Sequence, residues 1–304
     1  MRARVWAAIA VASVGWGTGG IATRAAFHQG LGPFTIIGLR TAVAAIALFA
    51  YRLVRRRPLP NRRAWTLGGL LGLTNITAPY ILFTLAVQYA SAGFVGLLIS
   101  NVPLVTALWA HFLLSDEKLN RHKALGLSLA AAGVVVLAAP GESGLGVAGR
   151  PGLAVSLTLA GVVVASFGGV HTRRHAPHHD VLDLAGPQFA LGALVLLGCM
   201  LGIEGVPIGV TAAGWGLLVY MGLVSTFLPF MLFFWMLQRV SATKASLPSY
   251  LVPVVAVAGG VLLLGEQVSL LMGLGGVLIL CGVVLTERAE SRPPAAGPVA
   301  EVVP

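Results

Sequence analysis

Residues 79–92 read PYILFTLAVQYASA, and residues 229–242 read PFMLFFWMLQRVSA. Six of the fourteen positions are identical, at a constant offset of 150. The echo continues in both directions. Trp65 answers Trp215, Gly72-Leu73 answers Gly222-Leu223, Pro103 answers Pro253, Asp116 answers Glu266 and Gly126 answers Gly276. Earlier in the chain, Gly19-Gly20-Ile21-Ala22-Thr23-Arg24 corresponds to Gly168-Gly169-Val170-His171-Thr172-Arg173, at an offset of 149. The chain therefore reads as a duplication. One unit covers residues 1–140 and a second covers 151–287, with a Gly-rich linker at 141–150. A Pro- and Ala-rich stretch at 288–304 is expected to be a disordered cytoplasmic tail.

Composition sets the environment of both units. Of the 304 residues, 57% are hydrophobic and only 10% charged, and the mean hydropathy is +0.89. Soluble domains carry about 25% charged residues, and a soluble chain of this length could not cover its surface with so few. The chain reads as an integral membrane protein. Its net charge of +10 is accordingly read as an orientation signal rather than as a nucleic-acid surface. Cys199 and Cys281 both lie in apolar runs and are read as small buried hydrophobes, not as a disulfide or metal pair. The N-terminus, MRARVWAAIAVASVGWG, imitates a signal peptide, but its apolar run continues to Ala22 and reads as a retained first span.

A membrane helix needs about 20 mostly apolar residues. Ten such segments are expected, at 4–23, 33–52, 65–86, 92–113, 123–140, 151–171, 182–203, 212–237, 242–263 and 269–286. With the N-terminus in the cytoplasm, 17 of the 20 Lys and Arg residues fall on the inner side. Only Arg24 and Arg150 fall outside, and Arg40 lies within a span. This asymmetry predicts an even number of spans and cytoplasmic termini. Five spans per unit is an odd number, so the second unit must enter from the opposite side. The predicted fold class is an all-α integral membrane protein, with ten transmembrane helices arranged as two inverted five-helix repeats. Such repeats are typical of secondary transporters, whose substrate site lies between the halves.

Three sets of residues sharpen this reading. They are Gly15-Trp16-Gly17 in the first span; Gly32-Pro33-Phe34 followed by Leu39-Arg40 in the second; and Gln88-Tyr89-Ala90-Ser91-Ala92 through Pro103 to Asp116-Glu117-Lys118-Leu119. The third pattern recurs from Ser241-Ala242 through Pro253 to Gly265-Glu266. In order and duplication these motifs resemble EamA-type members of the drug/metabolite transporter superfamily, over residues 5–287. The resemblance implies ten helices and export of amino acids or other small metabolites across the cytoplasmic (inner) membrane. One departure separates the halves: Ala165-Ser166-Phe167 stands where the first half has Trp16-Gly17-Thr18.

The candidate substrate-binding residues are polar or aromatic side chains within spans. Arg40 stands out, seven residues into the second span and about 10 Å from its start. An intramembrane charge is a functional candidate by default. It could pair with a substrate carboxylate, or bind carbonyls, or fix the two halves together. Trp16, Asn75, Tyr80, Asn101, Gln188, Tyr220 and Tyr250 are further candidates, with Ser225, Thr226 and Gln238 beside them. Aromatic walls with a few amides and hydroxyls suit a small zwitterion or an aromatic solute; interhelical hydrogen bonding is the competing use. Pro79, Pro103, Pro229 and Pro253 form symmetric pairs that serve either as hinges or as static kinks. Gly15-x3-Gly19, Gly68-x3-Gly72 and Gly198-x3-Gly202 are spacings that let helices pack closely, and they leave a homodimer open.

Other chemistries find less support. His171, His175, His178, His179 and Asp180 crowd one loop, but two arginines accompany them and no second cluster completes a metal site. Asp180 and Asp183 have the spacing of a magnesium–diphosphate site, which would make the chain a membrane-embedded transferase; no further carboxylates cluster with them. A sensor or scaffold would need a reporting domain. No Asp or Glu lies mid-span, and Asp116, Glu117, Glu204 and Glu266 fall at span edges, so a carboxylate proton relay is not visible. The expectation is a carrier, not an enzyme, that needs no cofactor or metal. It works in the lipid bilayer and exports a small-molecule metabolite, with uptake as the nearest alternative.

Overall fold

The computed structural model describes residues 2–115, 119–139, 143–145, 149–175 and 180–290. Asp116, His178, His179, half of the linker (141, 142 and 146–148) and residues 291–304 lie outside the described residues. Among the described residues helices are the only regular secondary structure. In chain order the helices are α1 (Arg2–His28), α2 (Pro33–Val54), α3 (Arg62–Gly72), α4 (Ala78–Tyr89), α5 (Ala92–Ile99), α6 (Val102–Leu113), α7 (Arg121–Leu137), α8 (Pro151–His175), α9 (Val181–Ile203), α10 (Ala212–Gly222), α11 (Leu228–Leu237), α12 (Ala242–Ala245), α13 (Pro248–Leu264) and α14 (Leu270–Glu290). Seven helical stretches are long and apolar enough to cross a membrane: Ala3–His28, Pro33–Val54, Arg62–Tyr89, Ala92–Leu113, Pro151–His175, Leu182–Ile203 and Ala212–Leu237. Leu251–Leu264 and Leu270–Thr286 are shorter apolar helices.

The duplication read in the sequence reappears in the local geometry. Asn61 caps α3 by accepting from the Ala64 amide, and Thr211, 150 positions later, caps α10 through the Gly214 amide. Ser91 caps α5 and Ser241 caps α12 in the same way. Such side chains satisfy N–H groups that the helix itself leaves unpaired. Between α3 and α4, residues Leu73–Thr77 form a π turn, and Leu223–Phe227 form another between α10 and α11. A proline explains each. Pro79 and Pro229 lack an N–H, and their rings crowd the carbonyls four residues earlier, on Asn75 and Ser225. Widening the turn relieves that crowding, so the Ala78 and Leu228 amides donate to the carbonyls of Leu73 and Leu223.

The two halves are not identical. Pro103 opens α6 after a break at Ser100-Asn101, whereas Pro253 lies inside α13. There the break comes earlier, ahead of Pro248, and it leaves only α12 (four residues) before it.

Packing crosses between the halves. α1 lies against α11 and α13, and α8 lies against α4, α5 and α6. α2 packs on α9, α5 on α13, and α7 on α14. The last contact is backbone-close, because a side chain on Gly126 or Gly282 would meet the other's carbonyl. Gly15 and Gly17 let α1 approach α11 and α13, since a Cβ would sit 2.5 Å from Pro229 Cγ and 2.6 Å from Val255 Cβ respectively. Gly68 and Gly72 abut Pro187 and Gln188, whereas Gly198 and Gly202 meet nothing within 4 Å. Large apolar side chains cover the outer faces, among them Ile46, Leu194, Leu262 and Val277, each more than half exposed. A surface of this kind suits lipid rather than water. Cys281 lies on it as a free thiol, and Cys199 is half-buried and also free, so neither is the fully buried hydrophobe expected from the sequence.

Candidate functional site

A cavity of about 160 Å³ lies between the two halves. This is of the order of a space that takes a benzene-sized molecule. The first half contributes α1 (Trp16, Gly17, Gly19, Gly20, Thr23), α2 (Arg40), the first π turn and α4 (Asn75 to Val87), and α5–α6 (Ala92 to Val102). The second contributes Ala165 from α8, Ser225 from the second π turn, Phe230 and Phe233 from α11, and Ser246, Ser249, Val252 and Ala256 from the α12–α13 region.

Arg40 is the charge in this wall, and its side chain is 7% exposed. Its Nε and Nη2 both donate to Thr226 Oγ1, at 3.1 and 3.0 Å, which ties the first half to the second π turn. The guanidinium carbon lies 4.6 Å from the centre of the Tyr80 ring, a cation–π distance. Among the described residues no carboxylate lies within ion-pairing distance of it; the one ion pair formed there joins Arg52 to Asp183 at 2.9 Å. The Tyr80 hydroxyl lies beside Thr226 and the guanidinium without a well-formed hydrogen bond, and Ser225 Oγ is likewise buried and unbonded.

An amide layer backs the first π turn. Asn75 Nδ2 donates to Thr172 Oγ1 and to Gln188 Oε1, each at 2.9 Å, and Gln188 Nε2 donates to the Leu184 carbonyl. On the opposite wall the rings stack edge to face. Trp16 meets Phe230 and Phe233 at centroid distances of 5.6 and 5.7 Å, and Phe230 also meets Tyr80 and Phe189.

The candidate residues thus separate into groups. Trp16, Arg40, Asn75, Tyr80 and Pro79 line the cavity. Gln188 stands one layer behind, bonded to Asn75. Asn101 sits at the α5–α6 break, donating to the Leu98 carbonyl, with Pro103 just beyond it. Tyr220 is 37% exposed and donates to Thr18 Oγ1 at 2.8 Å, away from the cavity. Pro229 packs against Gly15, and Pro253 lies within α13. The side chain of Tyr250, on α13, lies outside the described residues. Sequence reasoning did not single out Thr84, Ser246 or Ser249; the break ahead of Pro248 is the signal that could have drawn attention to the two serines.

Four acids among the described residues have structural partners. Glu204 accepts from the amides of Phe34 and Thr35 at 2.8 and 2.7 Å. Glu266 accepts from those of Ala92 and Gly93 at 2.7 and 3.2 Å. Glu204 and Glu266, both from the second half, therefore each cap a helix of the first. Asp180 caps α9 through the Leu182 amide, and Asp183 holds Arg52. Among the described residues no three His, Cys, Asp or Glu side chains gather to hold a metal. His171 stacks on Phe167, and His175 Nδ1 lies 2.9 Å from the His171 carbonyl oxygen.

Comparison with known proteins bears on what such a cavity is for. A solved structure, described as "Crystal structure of protein", superposes with a TM-score of 0.70 over 96% of this chain and all of its own, at 21% identity. The chain is 27% identical over 280 residues to the "Uncharacterized transporter YoaV" of Bacillus subtilis, covering 91% of this chain and 94% of that one. It is 27% identical to the "Uncharacterized inner membrane transporter YedA" of Escherichia coli K12, over 89% and 87% of the two chains. It is also 27% identical to a "Probable terminal-alkyne amino-acid exporter" of Streptantibioticus cattleyicolor, over 93% of each. Residues 4–139 and, again, 152–288 match the EamA-like transporter family. With a cavity built from both matched segments, this membrane protein belongs to the EamA-like transporter family.

Proposed function

We propose that the protein is a secondary transporter that exports a small metabolite, an amino acid or related compound, by alternating access. In this reading the shorter helices α7, α13 and α14 join the seven long stretches to give ten spans, arranged as two inverted five-helix repeats. Both termini are cytoplasmic in this reading, which the charge asymmetry supports. The observation that carries the reading is the cavity itself: it lies between the halves and takes its wall from both, with the buried Arg40 in it. A rocking of one half against the other would open that wall to each side in turn. The π turns and their prolines, Pro79 and Pro229, flank the cavity, and with Pro103 and Pro253 they are the proposed hinges. Arg40, Trp16, Asn75 and Tyr80 are the proposed substrate contacts, with Gln188 holding Asn75 in place. The exporter from Streptantibioticus cattleyicolor supports both the direction and the amino-acid-like class.

The test is counterflow in proteoliposomes with labelled amino acids and related metabolites, with and without an imposed pH gradient. Saturable exchange of one solute class is the expected result. No exchange across a broad panel by verified folded protein would refute the carrier reading.

A further inference from the structure

We infer that the cavity selects organic monoanions: small carboxylates with an apolar body and no ammonium group. The inference rests on the carrier reading above and narrows its substrate class to amino-acid-related acids rather than free amino acids. A guanidinium is permanently charged and offers five N–H donors. Two of the nitrogens of Arg40 share the single oxygen of Thr226, and the other N–H groups make no hydrogen bond to described residues. A buried charge left in this state is unfavourable until an anion joins it. A carboxylate fits a guanidinium fork, and the unbonded hydroxyls of Tyr80 and Ser225, in the same wall, add donors for its oxygens.

Among the described residues, none of those lining the cavity is acidic. Outside the lining, Glu204 and Glu266 are engaged on helix starts and Asp183 on Arg52. An ammonium carried in with the carboxylate would lose its water against rings and aliphatic groups, and would sit in the same small space as a guanidinium. Such a group is desolvated without a counter-charge.

The measurement is isothermal titration calorimetry on purified, detergent-solubilised protein, with two matched sets of probes. One set is 3-phenylpropionate, L-phenylalanine and 2-phenylethylamine; the other is 4-methylpentanoate, L-leucine and 3-methylbutylamine. Within a set the body is shared and the charge changes from anion to zwitterion to cation. In at least one set the anion is expected to bind at least about 10-fold more tightly than the zwitterion, with the amine weakest. Arg40→Gln is expected to weaken the anion about 10- to 100-fold and to leave the amine unchanged. Should Arg40→Gln fail to fold, the wild-type order alone decides. Zwitterions binding as tightly as the anions, or all six probes failing to bind, would overturn the inference. Counterflow of an uncharged or cationic solute, without carboxylate binding, would overturn it while leaving the carrier reading in place. Anion-selective binding without exchange of any solute would uphold the inference and overturn the carrier reading.

Discussion

Removing the Glu266 carboxylate should loosen the start of α5 by a calculable amount. A helix leaves its first four N–H groups without internal partners. At α5 all four are satisfied from outside the regular ladder. Ser91 donates to the Ser143 carbonyl, Ala92 and Gly93 to the Glu266 carboxylate, and Phe94 to Ser91 Oγ. A hydrogen bond to a charged group contributes about 1.5–3 kcal/mol net. Glu266 is half-exposed, so solvent screening takes the pair to the low end of that range. Glu266→Ala should therefore destabilise the protein by about 2 kcal/mol, comparable to the stronger measured losses of a helix cap. Glu266→Gln keeps one acceptor oxygen and drops the charge facing the helix dipole, which predicts about 1 kcal/mol. Ser91→Ala, a loss of the neighbouring cap, should fall near 1 kcal/mol. Denaturant unfolding in mixed micelles, followed by tryptophan fluorescence, would rank the three. If Glu266→Ala unfolds together with wild type while Ser91→Ala is shifted, the carboxylate does not hold this helix start and the reasoning fails.

Other outcomes follow from the same geometry. Gln188→Leu leaves Asn75 with a buried N–H unpaired and should destabilise by about 1–3 kcal/mol in the same unfolding assay. Gly282→Leu forces a side chain into the Gly126 carbonyl and should weaken the α7–α14 contact by about 1–3 kcal/mol or more, seen as loss of monodisperse protein in size-exclusion chromatography. Pro229→Ala returns an N–H to α11 and relieves the crowding at Ser225; a slower counterflow rate with unchanged binding affinity is expected, whereas an unchanged rate would make the proline a static kink. Glu204→Ala removes both acceptors at the start of α2, and faster amide exchange at Phe34 and Thr35 should follow.

The duplication was legible in the sequence because prolines, glycines and caps are punctuation that survives when apolar residues drift. Asn61 and Thr211, or Ser91 and Ser241, keep a capping oxygen at the same offset although one pair differs in residue type. Arg40 was legible for a different reason: a charge inside an apolar run has few places to go. The rest depended on rotation about helix axes. Each π turn adds a residue to its turn, so positions after Leu73 or Leu223 no longer fall where a regular helix projects them. Thr84 and Phe83 accordingly reach the cavity, while Tyr220, ahead of the second π turn, meets Thr18 on an exposed face. Ser246 and Ser249 enter through the α12–α13 break, a tertiary feature that the first half does not share at the equivalent position. The edge carboxylates were visible, but their partners lie some 170 residues away across the halves. Nothing local could have paired them.

The central claim is that one cavity serves both faces of the membrane in turn. Ala165 lines it from the second half, is partly accessible, and differs from cysteine by a single sulfur. The most direct measurement is alkylation of Ala165→Cys by a membrane-impermeant maleimide, in a background where Cys199 and Cys281 are replaced by alanine. The reagent is applied to right-side-out and to inside-out vesicles separately. The account predicts modification from either face, with each reaction slowed by a transported solute. Modification from one face alone, in both the presence and the absence of solute, would contradict it.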